Sequence, residues 1–154
     1  MAISTTTFQG SNTVAAPRDR VWEMLQDPDV LSRIIPGLSD VVTRQPGQFQ
    51  AALSVNVGPV KGKFKAGVRL TNLVQPEQMN LQVEAKNMTG GVNVDAQLSL
   101  TDLGESTRVD WVARPQLSGI LAGVGGRLLE SKAKEPGAGQ RYADRFFSRL
   151  AQQA

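Results

Sequence analysis

The sequence predicts an α+β protein: a curved antiparallel sheet wrapped around a long C-terminal helix, with two short helices after the first strand. Two patterns carry this reading. Between residues 38 and 114 hydrophobicity alternates with a period of two, whereas on either side of that stretch apolar residues recur at helical spacing. The length of 154 residues agrees, since a chain of this size forms one domain, here 1–154, with a sizeable core.

Each element follows in order. Residues 4–14 alternate loosely as a first strand, with Phe8 its largest apolar side chain. Pro17 suits a first helical turn, and Val21, Trp22 and Leu25 give that helix an apolar face. DPDVLSRIIPG at 27–37 restarts the pattern, with Asp27 as N-cap, Pro28 at the first helical position and Asp29 in the first turn. Val30, Leu31, Ile34 and Ile35 form its face, and Pro36-Gly37 ends it.

The period-two runs come next. FQAALSVNV turns Phe49, Ala51, Leu53, Val55 and Val57 inward. KGKFKAGVRL turns Phe64, Ala66, Val68 and Leu70 inward and Lys61, Lys63, Lys65 and Arg69 outward. Residues 79–86 place Met79, Leu81, Val83 and Ala85 inward, VNVDAQLSL adds Val92, Val94, Ala96, Leu98 and Leu100, and RVDWVA adds Val109, Trp111 and Ala113. Pro46-Gly47, Gly58-Pro59, Pro76, Gly90-Gly91 and Gly104 punctuate the runs as turns. The meander thus has one polar face and one apolar face, and the apolar face needs a cover. SGILAGVGGRLLE at 118–130 supplies it, with Leu117, Ile120, Leu121, Val124 and Leu128 on one helical face.

Composition narrows the chemistry. Cysteine and histidine are absent, which excludes thiol redox chemistry, Cys/His metal sites and His-dependent catalysis. No metal site and no cofactor site is expected. No run approaches the roughly 20 apolar residues of a membrane span, so the expectation is a cytoplasmic protein. The net charge of +3 is a weak argument for nucleic acid, and the basic residues carry little aromatic interleaving and no recognised motif. No nucleic-acid partner is expected.

Several motifs together resemble a known family. They are FQG at 8–10, APRDRVW at 16–22, DPDVLSRIIPG at 27–37, VGPVKGKF at 57–64, the glycine pair at 90–91, and GILAGVGGRLLESKAK at 119–134. The chain resembles the helix-grip, START-like ligand-binding proteins, and more specifically the G-subunit family of carbon monoxide dehydrogenase. The resemblance implies a hydrophobic cavity between sheet and long helix. It implies an accessory role beside a membrane-associated molybdenum hydroxylase, in recruitment to the inner membrane or in handling an apolar ligand such as a quinone or lipid. It implies no enzymatic activity. EPGAGQ at 135–140 departs from the family's uninterrupted last helix, and Pro136-Gly137 predicts a break there.

In such a cavity the lining would be Phe49, Leu53, Phe64, Val68, Leu81, Val83, Val94, Leu98 and Trp111 from the sheet. Leu117, Ile120, Leu121, Val124 and Leu128 would line it from the helix, and Trp22, Ile34 and Ile35 would form one mouth. A solidly packed core, suited to a protein-binding assembly or recruitment adaptor, is the competing reading. The inward positions of these runs carry no carboxylate, lysine or tyrosine, so no catalytic residue is assigned; Glu84, Asp95 and Asp110 alternate outward.

GVGGRL completes neither phosphate-loop pattern. On a helical projection Gly119, Gly123 and Gly126 share a stripe opposite the leucine face, each weakening the helix by about 1 kcal/mol relative to alanine. A covering helix that shifts to admit a ligand, or a back closely approached by another segment, both fit. Lys61, Lys63, Lys65 and Arg69 form either a solvated strand surface or a contact for anionic lipid or an acidic partner. RYADRFFSRLAQQA sets Arg141, Arg145 and Arg149 against Tyr142, Phe146, Phe147 and Leu150, as for a helix docked on the domain or lying on a membrane.

Overall fold

In a computed structural model, residues 4, 5, 7–35, 37–45, 47–57, 60–123 and 139–153 are described. Eight strands form one antiparallel sheet: β1 (Ser4–Thr5), β2 (Phe8–Val14), β3 (Leu38–Gln45), β4 (Gln48–Val57), β5 (Val60–Val74), β6 (Gln78–Asn87), β7 (Gly90–Asp102) and β8 (Thr107–Gly119). The order is β1-β8-β7-β6-β5-β4-β3, and β2 pairs with β8 beside β1. Helices α1 (Arg18–Gln26) and α2 (Pro28–Ile34) join β2 to β3, and α3 (Gln140–Gln152) ends the described chain. This is the expected α+β architecture.

The α2 start forms as the residue types require. The Asp27 side chain accepts from the Asp29 backbone N–H at 2.9 Å, and Pro28 occupies the first turn, where its missing N–H costs nothing. Pro17 is the N-cap of α1, which has no side-chain cap bond.

Strand β3 has no clean period of two, for a visible reason. Asp40 adopts φ 52° and the pairing with β4 shifts between Ser39 and Val42. This bulge brings Leu38 and Val41, three residues apart, half-buried against the core. The irregularity also blunts the sheet edge against pairing with other chains.

Strand β8 corrects the expected helix start. Leu117, Ser118 and Gly119 are strand, paired with Val92, Gly91 and Gly90, and helical geometry opens only at Ile120. Gly119 therefore belongs to no helical stripe. It turns the chain at φ +67°, and a Cβ there would meet the Gly90 Cα at 2.9 Å. Pro115 lies within β8 opposite the gap between Thr5 and Phe8, where the missing N–H breaks least pairing. Val124, Leu128, Gly126 and the Pro136-Gly137 break lie outside the described residues.

The inner face carries two separate apolar clusters. The larger joins Val21, Trp22, Leu25, Leu31 and Ile34 of the short helices to Phe49, Val68, Met79, Leu98, Val109 and Trp111 of the sheet, and to Phe147 and Leu150 of α3. The smaller joins Phe64, Ala66, Ala85 and Leu121, with Leu53, Val55 and Val92 packed against it.

Candidate functional site

Between the two clusters the inner face is apolar and, among the described residues, incompletely covered. Register aligns Val83 with Val94 and Val94 with Pro115, and in the next row Ala96 with Ala113. Val83, Val92, Val94, Ala96, Ala113 and Pro115 are all half-buried; Val83, Ala96 and Ala113 pack against the edge of the larger cluster and Val92 against the smaller. They are flanked by buried Leu117 and Leu121 on one side and by buried Leu98 and Trp111 on the other. The result is an apolar valley across β6, β7 and β8. Its floor is made of small side chains, valine, alanine and proline.

The expected lining residues divide accordingly. Val83 and Val94 lie in the valley, and Leu117, Leu121 and Phe64 form its flank on the side of the smaller cluster. Leu53 is half-buried in that cluster. Phe49, Val68, Leu81, Leu98 and Trp111 belong to the larger cluster, as do Trp22 and Ile34, with Ile35 packed against it. Trp22 and Ile34 are thus core residues, buried because both short helices and α3 fill that half of the sheet. Ile120 differs from the expectation: it is 67% exposed and turns away while Leu121 enters the smaller cluster. Val92, Ala96, Ala113 and Pro115 complete the valley and share the inward register that placed Val94 there.

Sequence reasoning misses one polar group on this face. Asn12 shares the inward register of Phe8 and Gly10, and it anchors α3. Its Nδ2 donates to Asp144 Oδ1 at 2.8 Å, while its Oδ1 accepts from Trp111 Nε1 at 3.0 Å and from Gln140 Nε2 at 3.0 Å. Gln140 Nε2 also donates to Asp144 Oδ1 at 2.8 Å. The Gln140 bond first, and the Asn12 bond second, hold the exposed Asp144 carboxyl below its usual range. Every member is partnered, so this network is a latch for α3. The alternation at 8, 10 and 12 is the signal that could have found it.

The outer face is polar. Gly67 has no atom near its absent Cβ, and it floors a depression of about 160 Å³ rimmed by Gln48, Gln50, Arg69, Gln82 and Glu84. A second, open depression of about 450 Å³ adjoins it beside Asp40, Val42, Lys65 and Lys86. Lys61, Lys63, Lys65 and Arg69 project from this face as expected, and Arg69 donates to Gln82 Oε1 at 2.9 Å. Glu84 is exposed and Asp110 pairs with Arg108 at 3.1 Å. Asp95 is only half-buried, but its Oδ1 is buried without a hydrogen-bond partner among the described residues.

Helix α3 is docked on the sheet edge. Phe147 and Leu150 are buried, Phe146 stacks edge-on against Phe147 at 5.0 Å, and Tyr142 is 60% exposed. Arg141, Arg145 and Arg149 face solvent. No helix among the described residues is long and apolar enough to cross a membrane. No group of three or more His, Cys, Asp or Glu among them could hold a metal ion.

A sheet gripping helices over an apolar inner face defines the START-like, helix-grip class, and solved structures share this fold. The chain belongs to the CoxG family, the G-subunit family of carbon monoxide dehydrogenase, whose model matches residues 10–154. A conserved protein from Geobacillus kaustophilus is similar at 25% identity and TM-score 0.80, over 96% of this chain and 94% of that one. A protein from Chromobacterium violaceum is similar at 17% identity and TM-score 0.65, over 96% and 95%. Norcoclaurine synthase from Thalictrum flavum, in complex with dopamine and hydroxybenzaldehyde, shares the fold at 13% identity and TM-score 0.57, over 99% and 89%. No curated protein matches the chain significantly.

Proposed function

We propose that the protein binds an apolar ligand, quinone or lipid-like, in the valley between the two clusters, and does no chemistry on it. The carrying observation is that valley: Val83, Val92, Val94 and Ala96 are only half-buried on the inner face, at the seam where the two buried clusters meet. Among the described residues these side chains are only half closed over, which leaves them contact surface for an apolar molecule. The valley offers contact area without a convergent polar group, which suits retention of an apolar molecule and gives no acid, base or nucleophile. Membership of the CoxG family supports an accessory role beside a membrane-associated molybdenum hydroxylase such as carbon monoxide dehydrogenase, at the inner membrane as a peripheral cytoplasmic protein.

The valine at the valley's centre tests this reading. Val94→Phe fills an empty valley, so the variant keeps the parent's thermal midpoint while losing most of its retained quinone or lipid. Were the interior solid, as a protein-binding adaptor requires, the same change would overpack it. That costs about 1–3 kcal/mol, a drop of roughly 2–4 °C for each kcal/mol in a protein of this size. Calorimetry and quinone titration of the two proteins side by side separate the cases.

A further inference from the structure

One corner of the molecule combines exposed apolar side chains with lysines. The β6–β7 hairpin tip holds Met88 fully exposed, and Ile120 follows the end of β8 beside it. The two segments touch through their backbones: Leu121 N–H donates to the Thr89 carbonyl at 3.3 Å, and Gly90 pairs with Gly119. The tip is built rather than slack. Asn87 Oδ1 accepts from the Thr89 backbone at 2.8 Å and from the Thr89 hydroxyl at 2.6 Å, an Asx-type turn that holds Met88 outward.

The lysines stand behind this tip. Asn87 Nδ2 donates to the Lys63 carbonyl at 3.3 Å, which ties the hairpin to the start of β5 and so to exposed Lys61 and Lys63. Lys86 precedes Asn87 and lies directly across from Lys65, both exposed. Like charges placed opposite each other on neighbouring strands repel, and neither lysine forms an ion pair among the described residues. The far end of the sheet has the opposite sign. There exposed Leu103 sits in the β7–β8 turn between Asp102 and Glu105, with Glu77 bonded through its carbonyl to Leu100 N–H.

From this juxtaposition we infer that the Met88–Ile120 corner is the face that enters the headgroup region of an anionic bilayer, with Lys61, Lys63, Lys65 and Lys86 on its phosphates. The inference rests on the proposed membrane-side role and adds which part of the chain makes the contact. Lysine favours lipid over an acidic protein as occupant. Protein interfaces are depleted in lysine and enriched in arginine and aromatics, whereas a hydrated ammonium on a flexible stem suits a phosphate surface. The smaller apolar cluster around Phe64 and Leu121 lies directly behind the corner, so an apolar ligand leaving the bilayer there meets the valley's edge.

The chain has no cysteine, so single Met88→Cys and Leu103→Cys substitutions each carry one thiol-linked, polarity-sensitive fluorophore on the full-length protein. The probes are vesicles of phosphatidylcholine alone and of phosphatidylcholine with phosphatidylglycerol. Expected are salt-sensitive co-sedimentation with the anionic vesicles only, a blue shift of the label at position 88, and none at position 103. Lys63→Gln with Lys86→Gln lowers the partition coefficient about 30-fold, since each lysine near the surface represents about a fivefold factor. Absence of sedimentation, a shift at 103 instead of 88, or indifference to lipid charge overturns the inference. Binding to polyglutamate without a shift at 88 on vesicles also overturns it and assigns the lysines to an acidic protein. Ligand retention measured without vesicles is independent of all these outcomes, so failure of the corner and failure of the valley are told apart.

Discussion

At the scale of single residues, position 10 shows how closely the latch on α3 is fitted. A Cβ on Gly10 would run into Gln140 Oε1 and into the Trp111 ring at 2.7 Å. Gly10→Ala therefore forces Gln140 and Trp111, two of the three partners of Asn12, aside and is expected to destabilise by about 1–3 kcal/mol, read by urea unfolding. Asp144 adds a pH dependence of known sign. Its carboxyl titrates below the usual value in the folded state, so the unfolded chain binds its proton first on acidification. The stabilisation is then present above the unfolded pKa and is lost as pH falls through the folded one. Asp144→Asn should lower the thermal midpoint most near neutral pH, with the deficit vanishing in acid; a deficit that grows on acidification would contradict the latch. At the start of α2, Asp27→Ala removes the side-chain acceptor of the Asp29 N–H and should cost about 1 kcal/mol by the same unfolding measurement.

At the scale of elements, β5 carries a residue that packing does not demand. Gly67 sits mid-strand at no positive φ, and nothing lies within 4 Å of its missing Cβ. Gly67→Thr should therefore stabilise by up to about 1 kcal/mol through strand propensity, with ligand retention unchanged because the outer face is involved. Loss of stability would mean that the outer depression is occupied. The elements most legible in the sequence are those with one clean period. Phe64, Ala66, Val68 and Leu70 alternate with Lys65, Gly67 and Arg69, and their inward register is readable directly. The Asp27-Pro28 helix start is equally plain. Strand β3 is not, because the bulge at Asp40 brings Leu38 and Val41 to one side and erases the alternation. The end of β8 misleads for a related reason. Leu117, Ile120 and Leu121 fit a helical spacing, yet Leu117 is held in the ladder by Val92, and the turn at Gly119 intervenes. Spacing alone cannot register a glycine that ends a strand. For the same reason Ile120 reads as lining in the sequence and is exposed in the fold.

At the scale of the whole molecule, the inner face is divided in its work. One half is closed by α1, α2 and α3 around Trp22, Phe49, Trp111 and Phe147, which gives the fold its stability. In the other half, among the described residues, valine and alanine beside Phe64 and Leu121 are only half-buried. Alternation can say which side chains face inward but not which of them are covered, since coverage depends on where the helices land. This is why Trp22 and Ile34 read as a mouth in the sequence and are core in the fold. The division predicts that retention of an apolar ligand and stability respond to different substitutions. Phe147→Ala should destabilise by about 3–5 kcal/mol without acting on the valley itself, seen as a lowered calorimetric midpoint. The most direct test of the central claim is native mass spectrometry of the protein purified without detergent, with solvent extraction of whatever it carries. A quinone or lipid at near-stoichiometric amount, absent from Val94→Phe, is the predicted result. A clean apo mass that persists after incubation with quinones and lipids would contradict the valley as a ligand site.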